Sequence, residues 1–177
     1  MNSISDGKRL KQYLAGPWAP QAVRALKRLL ATGLQQVPMP EMAVARRFEP
    51  GWRKQFVMLK CAIAADPFIS PAVLARLAAS CEPEVQEKIA ENRRTDPRIL
   101  ADLASSPHVR VRMAVATNPN ADLATVVGLA YDESPDVRLY MAGDHNMSPE
   151  ILKLLAADSD SFVSWRARRR LMRLRPA

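Results

Sequence analysis

The chain has 177 residues, with 26 Lys+Arg against 18 Asp+Glu and a formal net charge of +8. At 48% hydrophobic and 25% charged, its composition is that of a folded domain with a sizeable core, not of a disordered tail. Six Gly beside 27 Ala disfavour glycine-rich phosphate loops, and two Cys are too few for a disulfide framework.

Residues 1–55 read as a basic helical cap. The opening stretch, MNSISDGKRLKQYLAG, lacks the apolar core and cleavage site of a secretory leader. No uncharged apolar run approaches the roughly 18 residues of a membrane span, so a cytoplasmic protein is expected. Residues 21–34 place Val23, Leu26 and Leu30 on one helix face and Arg24, Lys27 and Arg28 largely on another. Such a helix either meets an acidic partner or closes the first unit of a stack, apolar side inward.

Residues 56–160 are periodic. Leu74-x-x-Leu77-Ala78 returns as Leu100-x-x-Leu103-Ala104, Val126-x-x-Leu129-Ala130 and Leu152-x-x-Leu155-Ala156, each step being 26 residues. The same step aligns Val85, Val111, Val137 and Val163, then Ile89, Val115 and Met141, then Ala64, Ala90, Ala116 and Ala142. Two residues on come Asp66, Asn92, Asn118 and Asp144, which hold turns by bonding nearby backbone. Val85 and Ile89 are four apart on one face, which makes this the first helix of each unit. Ser70-Pro71, Asp96-Pro97 and Ser148-Pro149 announce the second helix with a capping side chain and a proline. Asp122-Leu123 keeps the cap without the proline. Ser106-Pro107 lies two residues early in the register, so its turn should differ. A helix pair of this size cannot bury its apolar face alone, whereas stacked pairs share one core.

The pattern Val-Arg-x-x-x-Ala-x-Asn (Val111, Arg112, Ala116, Asn118), then Pro-x-x-Leu with Leu-Ala-x-Asp (Pro149, Leu152, Leu155, Ala156, Asp158), resembles the leucine-rich repeat variant proteins. The resemblance covers about residues 57–160. It implies an all-α, right-handed α-solenoid of four units, with short helices that include 3₁₀ segments, and it implies no particular activity. The iron–sulfur cysteine cluster carried by one member of that family has no counterpart, since only Cys61 and Cys81 are present.

Within the units, Arg112 and Arg138 follow a buried Val and share a row with Lys60 and Gln86. They form either a basic ladder toward an acidic ligand or a structural ladder, with Asp132 available to Arg138 across the turn. His108 and His145 lack metal-ligand spacing, and no cofactor motif appears. Cys61, in a row with Met113, Leu139 and Trp165, reads as a small buried apolar residue. No nucleophile–base arrangement is visible, so a non-enzymatic protein is expected. A helical-repeat DNA glycosylase would need an aromatic pocket and a catalytic acid, and Trp18, Trp52 and Trp165 are scattered.

Residues 161–177 form an Arg-rich capping helix. Val163, Ala167, Leu171 and Leu174 make a stripe, and Arg166, Arg169 and Arg173 lie on another face, flanked by Arg168, Arg170 and Arg175. Six Arg without an acid suit bidentate carboxylate or phosphate contact. Residues 1–60 carry 11 basic and 3 acidic groups, and residues 61–160 carry 9 and 15. The excess charge therefore sits at the ends. The expected function is a scaffold that binds an acidic partner protein, with a nucleic-acid backbone as the alternative. Circular dichroism should show dominant helix, and Leu103→Asp should abolish that signal by burying an unpaired charge. A strand-rich spectrum would contradict the repeat.

Overall fold

Proline at the first helical position forfeits no hydrogen bond, because first-turn amides have no acceptor within their own helix. The computed structural model describes residues 52–79 and 82–174, and among these the chain is all-helical. The helices are α1 (Trp52–Ala64), α2 (Pro71–Ala78), α3 (Pro83–Glu91), α4 (Pro97–Leu103), α5 (Val109–Ala116), α6 (Leu123–Ala130), α7 (Pro135–Gly143), α8 (Pro149–Leu155) and α9 (Ser161–Leu174). Five of them, α2, α3, α4, α7 and α8, begin on proline. The basic segment holding Arg24, Lys27 and Arg28 lies outside the described residues, as do Cys81 and Arg175.

Capping divides by side chain. Asp96 accepts from Arg98 N at 2.8 Å, Asp122 from Thr125 N at 2.7 Å and Ser148 from Ile151 N at 3.4 Å. Ser70 holds the cap position of α2 without a side-chain bond. The early Ser106-Pro107 pair does not cap α5, which starts at Val109 behind His108. Ser106 turns inward instead, donating to Gln86 Oε1 at 3.3 Å.

The periodic apolar residues are the core. Val85, Ile89 and Ala90 of α3 are buried, as are Val111, Val115 and Ala116 of α5 and Val137, Met141 and Ala142 of α7. The even-numbered helices add Leu74, Leu77, Leu100, Leu103, Leu129, Leu152 and Leu155. Each of these Val, Leu, Ile and Met side chains stabilises the fold by about 1.5–3 kcal/mol. Odd-numbered helices pack each on the next, from α1 through α3, α5 and α7 to α9. Each even-numbered helix packs on the two odd ones that flank it in the chain. The Ala rows permit this close approach. No described helix is long and apolar enough to cross a membrane.

The turns after the odd helices carry a second set of bonds between units. Asn92 Nδ2 donates to Ala64 O at 2.6 Å and Asp66 O at 2.9 Å, both one unit earlier. Asn118 Nδ2 repeats this with Ala90 O at 2.6 Å and Asn92 O at 2.9 Å. The other amide atom closes the local turn, Asn92 Oδ1 accepting from Arg94 N and Asn118 Oδ1 from Asn120 N. One carboxamide thus does two jobs. Asp144 stands next in this row and does only one, accepting from Asn146 N at 3.1 Å. A carboxylate has no N–H to give Ala116 O and Asn118 O.

Asp144→Asn should therefore raise unfolding free energy, by about 1 kcal/mol for each bond gained. Asn118→Asp should lower it by at least as much, since two buried carbonyls lose their donor. Urea unfolding of the three proteins measures both, and a destabilised Asp144→Asn would contradict the ladder.

Candidate functional site

A buried guanidinium requires acceptors for its donors, and the structure shows which arginines have them. Arg112 Nε and Nη2 donate to the Asp132 carboxylate at 2.7 and 2.9 Å, and Nη1 donates to Ser106 O at 2.8 Å. Arg138 repeats the arrangement one unit on, with Asp158 at 2.7 and 3.2 Å and Asp132 O at 2.6 Å. Arg138 therefore takes only the main-chain carbonyl of Asp132, whose carboxylate belongs to Arg112. The Arg112 and Asp132 side chains are 6% and 5% exposed. Hydrogen bonding to Asp132 pushes the Arg112 pKa up, and Asp158 does the same for Arg138. Lys60, in the same row, holds Glu82 at 3.0 Å. This ladder points inward, so the guanidinium donors of Arg112 and Arg138 are engaged within the protein.

The arginines of α9 differ among themselves. The stripe Val163, Ala167, Leu171 seats the helix, the first two fully buried and the third partly, while Leu174 is exposed. Arg168 Nε donates to Ala156 O at 3.0 Å, and one Arg170 Nη2 bond reaches His145 O at 2.8 Å. These two bind the carbonyl ends that follow α8 and α7. Arg166, Arg169 and Arg173 have no carboxylate partner among the described residues. The Arg169 guanidinium lies 5.2 Å from the centroid of the Trp165 ring, a cation–π contact.

Arg166, Arg169, Arg170 and Arg173 line one depression of about 320 Å³, together with Trp165, His145 and Gly143 and without a carboxylate. A second, of about 360 Å³, lies on the other side of Arg166 and is bounded by Thr117, Tyr140 and Asp144. Gly143 makes this layout possible, because a Cβ there would overlap the Arg166 guanidinium. Arg170 Nε is buried and has no acceptor. A buried donor without a partner is uncommon and costs stability unless something else supplies the acceptor. The groove can therefore accept an anion: several guanidinium donors, an aromatic wall and no competing acid.

Sequence spacing separates Arg166, Arg169 and Arg173 from the apolar stripe, but it does not reveal Gly143, His145 or Tyr140, which come from a different unit. Trp165 is 57% exposed, whereas Cys61, Met113 and Leu139 of the same row are partly buried against the core. Cys61 is half-buried, and burial first, then Glu84, push its thiol up to about 11. It is a protonated thiol at neutral pH, not a nucleophile. Among the described residues no group of three or more His, Cys, Asp or Glu could hold a metal ion. Compared with known proteins, the chain matches no family model, no curated protein and no solved structure.

Two measurements check the inward ladder. Asp132→Ala should cost about 3–5 kcal/mol, as it strands a buried guanidinium. The Asp158 carboxyl is held below the usual carboxylate range by hydrogen bonding to Arg138. Its stabilising contribution is complete above that usual range and disappears as pH falls through the lowered folded value. Asp158→Asn should thus flatten the acid limb of stability below about pH 4, and an unchanged limb would refute the assignment.

Proposed function

We propose that this chain is a right-handed α-solenoid of four 26-residue helix-pair units, similar to leucine-rich repeat variant proteins, that works without catalysis as an interaction scaffold. Its α9 groove binds an acidic surface of a partner protein. The observation that carries this reading is the contrast between arginines: Arg112 and Arg138 are engaged inward, whereas Arg166, Arg169 and Arg173 converge on a groove that no carboxylate lines. The family likeness rests on the periodic residues, and neighbour-to-neighbour packing of the odd helices supports the stacked arrangement.

A nucleic-acid backbone fits less well. It would have to continue from α9 along the row of odd helices, and the outward face of α3 carries Glu84, Glu87 and Glu91. Like charge would oppose its phosphates.

Fluorescence anisotropy with a labelled Asp/Glu-rich peptide and with labelled duplex DNA tests the proposal in the full chain. The peptide should bind, and Arg169→Glu with Arg173→Glu should weaken it at least about tenfold. Binding of duplex alone, with a steep loss on adding salt, would transfer the site to nucleic acid and overturn the proposal.

A further inference from the structure

The outward face of the odd helices is charge-segregated from one end to the other. Opposite the buried Val85 and Ile89, helix α3 turns out Glu84, Glu87 and Glu91, with Lys88 beside Glu91 at 2.7 Å. One and two units later the row of Glu87 holds the partly buried Met113 and Leu139, and the row of Lys88 holds the buried Ala114 and then the exposed Tyr140. Arg110 and Asp136 lie at the rim of this middle zone and balance each other. On α9 the same two rows hold Trp165 and Arg166, followed by Arg169 and Arg173. The face thus runs from acidic, through apolar and aromatic, to basic.

The order of charges narrows the kind of occupant. A strip one helix row wide, acidic at one end and basic at the other, suits one slender chain of complementary charge order better than a second globular surface.

We propose that the partner contributes an extended segment with an acidic block at one end and a basic block at the other, separated by apolar residues. Its acidic block occupies the α9 groove, its apolar residues lie over Leu139, Tyr140 and Trp165, and its basic block meets Glu84 and Glu87. The inference rests on the acidic-partner reading of the α9 groove and adds the segment's charge order and length. Packed helices lie about 8–10 Å apart, so the three steps from α3 to α9 span roughly 25–30 Å. At about 3.3 Å per residue, eight or nine extended residues cover that distance. The second depression beside Arg166 receives the side chain next to the acidic block, against Tyr140.

Labelled synthetic peptides of about ten residues test this against the full chain. The first carries three Glu, a Leu/Tyr/Ala middle and three Lys; the second has the same composition with its charges intermixed; the third replaces the Lys block by Ser. The block peptide should bind about tenfold tighter than the intermixed one. Glu84→Lys with Glu87→Lys should weaken the block peptide by a similar factor and leave the third unchanged. A fourth peptide, acidic at both ends, should bind that variant better than it binds the native chain, a gain that misfolding cannot produce. Equal affinity for the first three peptides, with no effect of the Glu variants, would overturn the charge order while sparing the α9 groove. Failure of every acidic peptide to bind would overturn both.

Discussion

Arg112 can be buried only because Asp132, Ser106 O and the next unit's turn meet it there. Removing a guanidinium from water costs several kcal/mol, and the geometry recovers this by satisfying both edges of its fork. Its acceptors come from two sides. The carbonyl lies six residues earlier, the carboxylate twenty residues later, in the turn that leads to α7. The guanidinium is thus a rivet between consecutive units, and Arg138 is the next rivet in the line. Asn92 and Asn118 do the same along the opposite ends of the odd helices, with neutral groups and main-chain acceptors. The apolar rows hold the helices together without direction; these polar side chains set the angle and register at which one unit meets the next.

Much of this architecture is legible in the chain. The 26-residue step, the prolines and the Ala rows place helices and core because they depend on local chemistry and on periodicity. Partner choice is another matter. Asp132 is six residues from Arg138 and twenty from Arg112, and proximity along the chain favours the wrong one. The stacked geometry puts the later turn against the earlier helix, which only a three-dimensional arrangement reveals. Asn118 likewise looks like a local turn residue, and one of its three side-chain hydrogen bonds is local; the other two reach Ala90 and Asn92. The row of Cys61 misleads for a related reason. Cys61, Met113 and Leu139 pack partly buried against the core, as periodic apolar residues do, yet Trp165 in the same row is exposed. At the C-terminus the helix face that holds Arg166, Arg169 and Arg173 can be read from spacing. The groove cannot, because Gly143, His145 and Tyr140 form its other walls.

Net charge acquires a different meaning once its engaged and unengaged parts are separated. Arg112 and Arg138 add to the formal total but present no guanidinium to a ligand, their charge being matched in place. Arg168 and Arg170 neutralise the carbonyl ends of earlier helices, an arrangement that also suits the negative end of a helix dipole. What remains for recognition on α9 is a small set of side chains around one aromatic ring. Arginine serves here better than lysine would, since its flat group can lie against Gly143 or over Trp165 and still offer donors at its rim.

The substitution of aspartate for asparagine at position 144 leaves one junction fastened unevenly. On one edge, α5 is pinned to the turn before α7 by the Arg112–Asp132 pair. On the other, where Asn118 laces α5 to α3, neither Asp144 nor Asn146 returns a side-chain bond to the preceding unit. The unlaced edge is the one bordered by Thr117, Tyr140, Asp144 and Arg166, so the bonds that a carboxamide at 144 would add fall beside the α9 arginines.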